Sequence, residues 1–529
     1  MQDAVQRVIT NWDGYPRMRS SADSVYKASL GNGEYLDVVQ PQAACTIINW
    51  RTGEIVAIVG GRATPTGWKQ THRAYNFNMP VGSSLKPLSV YGPAFDLGNS
   101  PGSPVMNLPI QIVGWDSETG FPTNYEGGTY SGVESLRVAI NRSHNTAAAQ
   151  ALMNYVGIEN SVAYLDRLGI KNPIPTGAGL ALGSSGISTV EMAAGFATIA
   201  NGGVYLEPVA FSKVTRSDGS IYLDAADAQI TRRAFKESTA WLLVDVLIGC
   251  CSPEVEGSTG KLANFGGMTV AGKTGTNSDY RGVFFAGMTG YLAGAVWIGS
   301  ENYAPLVTGA SGGSYAAPLW AGIMAATHKV LGYTTDQPIR SKSAADVGLV
   351  TREVCAVSGM VPTDACRNDI NGYGTNTDYF LSGTEPILTC NMHRMVRLCT
   401  VSKRVPSRYC RSTAYYGVVY LPEGHPLRAG ISTVVQEYFT GASTEQDSAL
   451  IGDCTVCQDN QNHIYNEANE YLSLARELLE DGRLNSSEKA NLSAAIDRLS
   501  SAVINQHHDL VERYTWELRS LYNQIMSWL

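Results

Sequence analysis

The sequence predicts a layered α/β domain, and three observations carry that prediction. Two β-like runs, CTIINW and EIVAIVGG, flank a turn at Arg51-Thr52-Gly53 and read as a hairpin. Helix-like stretches follow in VESLRVAINRS, HNTAAAQALMNYVG and VEMAAGFATIANGG, the last two ended by glycine. Strand-like pieces then return in GMTVAGKTGT and YLAGAVWIG. Helices bracketed by strands in this way favour a sheet covered by helices over a bundle.

At 529 residues the chain is too long for one ordinary core, and two to four domains are expected. Residues 1–40 are polar and weakly patterned, and 41–335 hold the α/β signal. Residues 336–440 form a Cys-rich stretch with an internal repeat. There Cys355-Ala-Val-Ser…Val361-Pro362…Cys366 is echoed by Cys399-Thr-Val-Ser…Val405-Pro406…Cys410. Both cysteine pairs are 11 positions apart, so the stretch reads as a small duplicated module and not a solenoid. Residues 441–529 are helical in pattern. Ile464, Ala468, Leu472, Ala475 and Leu479 share one face up to a break at Asp481-Gly482. From Leu492 to Ile525 the apolar residues keep spacings of three, four or seven, behind a capping box at Asn485…Glu488. A C-terminal helical hairpin is expected, with a protein partner as one use for it.

A net charge of −8 leaves no basic footprint for nucleic acid. No run of 18 apolar residues offers a membrane span, and MQDAVQRVIT lacks the layout of a signal peptide.

The chemistry concentrates at three short motifs. In NMPVGSSLKPLSV, Ser83 stands three residues before Lys86, so on a helix the two share a face. A serine hydroxyl needs a base, and a buried lysine beside another cation sheds its proton near neutrality. Pro87 is tolerated only in the first turn of a helix, which places the helix start near Ser83. That geometry conflicts mildly with the bias of a pre-proline residue, Lys86, against helical angles. The same spacing at Ser24–Lys27, Ser258–Lys261 and Ser486–Lys489 reads as solvated helix faces. Ser83 differs because two companions follow it. Ser143-His144-Asn145 sets a hydroxyl and an amide two apart; it also suits a helix N-cap, with His144 a cleft-lining spacer. Lys273-Thr274-Gly275-Thr276 on a strand puts Lys273 and Gly275 on one face. Gly275 there lets a ligand lie against the strand, while Thr274 and Thr276 offer hydroxyls. Tyr125 and Tyr130 are candidates for lining substrate subsites.

Ser-x-x-Lys, Ser-x-Asn and Lys-Thr-Gly in that order mark penicillin-binding proteins and β-lactamases. The chain resembles the transpeptidase region of a class A, bifunctional penicillin-binding protein. The resemblance runs from MQDAVQRV through AACTIINWRTGEIVAIVGGR, YNFNMPVGSSLKPL and SGVESLRVAINRSHN to VAGKTGTNSDYRGVFFAGMTG and GGSYAAPLW, with a Cys-containing extension to about residue 425. It implies a mainly antiparallel sheet flanked by helices, plus a helical lobe. It implies Ser83 as the nucleophile acylated by a peptidoglycan stem peptide with loss of D-alanine, and Lys86 as its base. Ser143 and Lys273 would handle the leaving-group proton, and Asn145, Thr274, Gly275 and Thr276 would bind substrate. β-Lactams would acylate Ser83. Alternatives are a D,D-carboxypeptidase or β-lactamase, or a non-catalytic β-lactam sensor or cell-wall scaffold. The resemblance makes residues 1–40 a linker after a missing glycosyltransferase domain that would carry the membrane anchor. The parent protein would then act on the extracytoplasmic face of a bacterial membrane, and this piece would be soluble. Two departures stand out: Tyr280-Arg281 after the Lys-Thr-Gly strand, where the cleft edge could change, and Cys250-Cys251.

Seven of ten cysteines fall between Cys355 and Cys457. The repeat favours disulfides Cys355–Cys366 and Cys399–Cys410, with no cofactor expected. The second reading is a structural zinc through Cys390, His393 and nearby cysteines, and Cys454-Thr-Val-Cys457 suits a metal knuckle or a redox pair. Cys45, Cys250 and Cys251 read as packed thiols.

Overall fold

Strict alternation along apolar strands sends neighbouring side chains to opposite faces, and here both faces are covered. The computed structural model describes residues 1–30, 33–63, 71–115, 117–125, 127, 130–171, 177–420 and 453–527. Strands β1 (Gln42–Ile48), β2 (Ile55–Val59), β3 (Ala271–Thr276), β4 (Gly282–Met288) and β5 (Ala293–Gly299) form one antiparallel sheet in the order β3-β4-β5-β1-β2. The expected hairpin is β1–β2, with Gly53 at φ 75° in its turn. Ala44 and Ile48 enter one core, while Ala43, Cys45 and Ile47 enter the other.

The longer helices of this unit are α1 (Gln2–Asn11), α2 (Leu136–Arg142), α3 (Asn145–Ala151), α4 (Ile158–Arg167), α5 (Thr189–Ala200), α6 (Glu237–Cys251) and α7 (Ala317–Leu331). Helices α5 and α6 bury Met192, Phe196, Leu243 and Leu247 in the first core. Helices α1 and α7 bury Val5, Ile9, Trp320 and Ile323 in the second. Helices α2, α3 and α4 make the helical lobe. The expected fold class, an antiparallel sheet flanked by helices with a helical lobe, is the one observed.

Two local expectations are corrected. The first forty residues are not merely a linker, because α1 is an integral layer of the sheet. Gln2 Nε2 donates to the Ile58 carbonyl (2.7 Å) and Gln2 Oε1 accepts from the Ile58 N–H (2.9 Å), which satisfies backbone groups of the edge strand β2. The stretch Gly132–Ser135 is a strand paired with Pro104–Asn107, not the first turn of a helix. Ser135 then caps α2 by accepting from the Val138 N–H.

The chain divides into two units, residues 1–363 with 373–390, and residues 364–372 with 391–529. The division falls inside the stretch expected as one Cys-rich module; the expected boundary at 440/441 lies outside the described residues. The duplication is nonetheless structural. In the first unit β6 (Leu349–Cys355) pairs with β7 (Thr375–Leu381); in the second, β8 (His393–Cys399) pairs with β9 (Thr413–Val419). The Cys355 N–H donates to the Met360 carbonyl and the Cys399 N–H to the Arg404 carbonyl, each at 2.8 Å. The disulfide expected between Cys399 and Cys410 is not formed, and both are thiols. Their sulfurs join those of Cys454 and Cys457 in one group of four, with no bonded pair among them. Cys355 and Cys366 fall in different units.

The tail departs from a hairpin. Helices α8 (Val456–Leu479), α9 (Ser486–Ile504) and α10 (His508–Met526) enclose a core of Leu472, Leu492, Leu499, Val511 and Leu518. The capping box of Asn485 and Glu488 is present. What reads as one long second helix is broken by Gln506, at φ 53°. Among the described residues, no helix is long and apolar enough to cross a membrane.

Candidate active site

The sequence around Ser83 solves the pre-proline problem by changing helix type. Gly82–Leu85 is a 3-10 turn, Pro87–Tyr91 a π turn and Gly92–Asp96 α-helical. Lys86 keeps helical angles (φ −49°, ψ −42°) at the join, its N–H donating back to the Ser83 carbonyl. Pro87 opens the next segment, where its missing N–H is not required. The serine pair is divided in role. Ser84 is fully buried and donates to the Val81 carbonyl (2.7 Å), while Ser83 is part-exposed. Helix α4 clamps the segment from behind, Ser161 donating to the Ser89 carbonyl at 2.6 Å.

Strand β3 runs directly beneath this turn. A Cβ built on Gly275 would lie 2.0 Å from the Val81 carbonyl oxygen, so only glycine permits the approach. Gly82 (φ 59°) is pressed as closely onto Thr276, where a Cβ would meet backbone atoms at 2.6–2.9 Å. On the outer side the Gly312 N–H donates to Thr276 Oγ1 (3.1 Å), and Thr274 Oγ1 shares a hydrogen bond with Thr259 Oγ1 (2.7 Å).

The third wall is the break between α2 and α3. Ser143 adopts left-handed angles (φ 61°, ψ 33°) as the C-cap of α2, which turns its carbonyl inward. Lys86 Nζ donates to that carbonyl (2.8 Å), to the His144 carbonyl (3.2 Å) and to Asn145 Oδ1 (2.9 Å). Asn145 Nδ2 in turn donates to the Thr123 carbonyl, fixing the amide's orientation. The three sequence motifs therefore converge. Lys86 reaches the 143–145 break, and Gly82 packs on β3.

Both lysines are completely buried. Burial and the nearby Lys273 charge hold the Lys86 amine well below the ordinary lysine range, against the opposing pull of Glu134. Burial brings Lys273 down to about 8. The Cys250 and Cys251 thiols near it would pull the other way if ionised. Burial pushes Cys250 up to about 11 and Cys251 well above its usual value, so both stay protonated near neutrality.

The structure adds residues that the motifs do not announce. His144 does not line the cleft but is buried, its Nδ1 2.8 Å from Glu134 Oε1. Glu134 Oε2 accepts from Ser131 Oγ (2.7 Å). Asn124 Oδ1 accepts from the Asn145 N–H (2.7 Å), and its Nδ2 donates to Asn107 Oδ1 (2.8 Å). Glu134 and Asn107 sit on paired strands, and only that pairing brings them under the 143–145 break. Tyr125 is exposed and Tyr130 packs edge-on to Phe121. Arg281 is tied down, donating to the Tyr303 carbonyl (2.7 Å) and pairing with Asp279 (3.2 Å).

The profile of the penicillin binding protein transpeptidase domain matches residues 43–325, more than half of the chain. The chain belongs to this family. A second profile, the C-terminal domain of penicillin-binding protein 1A, matches residues 346–395, in keeping with the expected class A relationship. Penicillin-binding protein 1A of Clostridium perfringens is 33% identical over 415 residues, 74% of this chain and 46% of its own. That of Clostridium botulinum is 29% identical over 456 residues, 82% of this chain and 52% of its own. The chain thus spans about half the length of the curated relatives it matches. Among solved structures, penicillin-binding protein 1A from Haemophilus influenzae covers 69% of this chain and 57% of its own at a TM-score of 0.56 and 24% identity. PonA1 from Mycobacterium tuberculosis, in complex with penicillin V, covers 65% of this chain and 86% of its own at 0.51 and 20%. Both show the same fold for the transpeptidase domain.

Proposed function

We propose that the chain is a serine D,D-transpeptidase that cross-links peptidoglycan stem peptides and is acylated at Ser83 by β-lactams. The observation that carries this reading is Lys86, a wholly buried amine beside a second buried amine, three residues from a part-exposed serine. In its neutral form Lys86 keeps two of its three donations to the 143–145 break, and the freed lone pair takes the Ser83 proton. Ser83 Oγ attacks the carbonyl of the penultimate D-alanine. The backbone N–H groups of Ser83 and Thr276 receive the oxyanion, at the point where Gly82 presses onto β3. Ser143 and the Lys273 ammonium return a proton to the departing D-alanine amine. Asn145 holds a substrate amide, and Thr274, Gly275 and Thr276 hold the terminal carboxylate against the strand. An amine of a second stem peptide then resolves the acyl-enzyme.

Hydrolysis by water is the slower fate in this reading. Glu134, the carboxylate nearest Lys86 by its electrostatic effect, is engaged with His144 and Ser131 and does not present a base to water. Site of action is the extracytoplasmic face of a bacterial membrane, as for cell-wall synthesis. A protein partner for the tail would meet the exposed Trp516 and Ile504.

Fluorescent penicillin tests the reading. Wild-type chain takes one label per molecule, Ser83→Ala takes none, and nitrocefin is turned over only slowly. Absence of label on the wild type overturns the proposal in favour of a scaffold, and rapid nitrocefin turnover overturns it in favour of a β-lactamase.

A further inference from the structure

The second copy of the repeat builds a cluster of four sulfurs that the transpeptidase reading leaves unused. Cys399 ends β8, Cys410 closes the loop that follows, Cys454 precedes α8 and Cys457 stands in its first turn. Their Sγ atoms all lie within 4.8 Å of one another, and Cys399 and Cys457 are 3.6 Å apart. A disulfide requires about 2.0 Å between sulfurs. Four thiolates at about 2.3 Å from a zinc ion lie about 3.8 Å from each other, the edge of a tetrahedron. The observed spacing belongs to the second case.

We propose that Cys399, Cys410, Cys454 and Cys457 bind one structural Zn²⁺ as a tetrathiolate. The backbone is shaped for it. The N–H groups of Val401 and Ser402 point at Cys399 Sγ, and the Cys457 N–H points at Cys454 Sγ, the arrangement that steadies thiolates in a metal knuckle. The Cys454 N–H donates to the Val405 carbonyl at 2.8 Å, which ties the second ligand pair to the loop of the first. Cys399 and Cys454 are 1–2% exposed, so the site excludes water on one side. Four thiolates and one Zn²⁺ leave a net charge of −2. The loop between Cys399 and Cys410 holds Lys403, Arg404 and Arg408 and no acidic residue, which offsets that charge.

The repeat supplies an independent observation. Cys390 in the first copy makes the same 2.8 Å backbone bond, to the Val361 carbonyl, so Cys454 is its structural counterpart. The ligand order Cys399, Cys410, Cys454, Cys457 then aligns with Cys355, Cys366, Cys390, His393, and both orders end in a spacing of three. Duplication has preserved a set of metal-ligand types and exchanged His for Cys, a swap that zinc accepts and a disulfide does not. The zinc expected through Cys390 and His393 stays a proposal of the sequence, resting on this alignment.

Metal content of the purified full chain, by mass spectrometry of its elements, tests the inference. Cys454→Ser with Cys457→Ser should lower zinc by one equivalent per chain while fluorescent penicillin still labels Ser83. Cobalt in place of zinc should give thiolate-to-metal charge-transfer bands that lose the intensity of one tetrathiolate site in the double variant. Equal zinc in wild type and variant overturns the proposal, as does an intact mass showing these four cysteines as two disulfides. Should the double variant fail to fold, the wild type suffices. Titration of its thiols with a mercurial should release zinc to a chromogenic chelator as these four are modified, and modification without release overturns the assignment.

Discussion

Two amines share one buried pocket, and the crowding acts on them differently. Burial and the Lys273 charge both hold the Lys86 amine well below the ordinary lysine range. Burial alone brings Lys273 down, to about 8. In the proposed mechanism acylation by penicillin needs Lys86 neutral and Lys273 charged, so its second-order rate should fall as pH climbs through about 8. Lys273→Arg retains the charge at every accessible pH, so in that variant the alkaline fall should disappear even if the rate is lower throughout. An unchanged alkaline limb in Lys273→Arg would remove Lys273 from the proton path. At this scale the sequence was informative wherever chemistry follows a short spacing. Ser83, Lys86, the 143–145 break and Lys273–Thr276 are each recognisable within a few residues. Glu134, Asn107 and Asn124 were not, because strand pairing and loop closure, not spacing, bring them beneath Lys86. The choice of Ser83 over Ser84 also becomes physical only in three dimensions, where Ser84 is turned into the protein.

Elements meet in this site through bare backbone. The turn that carries Ser83 sits on β3 at a distance that leaves no volume for a Cβ on Gly275. Gly275→Ala must push the strand from Val81, separating the Thr276 N–H from Ser83. The expected loss in acylation rate is about 100-fold, equivalent to about 2.7 kcal/mol of transition-state stabilisation. Overpacking should cost a further ~1–3 kcal/mol of stability, read as a lower melting temperature. Acylation at the wild-type rate in Gly275→Ala would show that the strand does not set the pocket. The role of Gly275 was legible as a ligand-facing gap in the strand; that the same gap admits the Val81 carbonyl was not. Helix boundaries show a similar limit. Asn485 and Glu488 announce the start of α9 correctly. The end of α9 is silent, because Val503 and Leu510 keep a seven-residue spacing across the break at Gln506. Apolar period alone cannot distinguish one long helix from two that pack in succession. In α1, Val5 and Ile9 lie one turn apart, yet so short a run between polar residues does not reveal the sheet edge it covers.

At the scale of the whole molecule, the hydrophobic cores close within their own units. The two cores around the sheet draw on residues from Val5 to Tyr379 and Leu381, and the bundle core draws on residues from Ile464 to Ile525. Every proposed catalytic and substrate-binding residue belongs to the first unit. Leu499 is completely buried in the bundle, so Leu499→Ala should destabilise that bundle by about 2–5 kcal/mol. A bundle of three helices with that loss should melt at a lower temperature than the transpeptidase domain, giving two separated transitions by calorimetry. Penicillin labelling of Ser83 should keep its wild-type rate within about two-fold, since none of the pocket's side chains takes part in the bundle core. A large fall in that rate, with the upper transition unmoved, would mean that the tail acts on the catalytic pocket itself. The tail would then be a regulatory part of the transpeptidase and no longer an independently folded appendage.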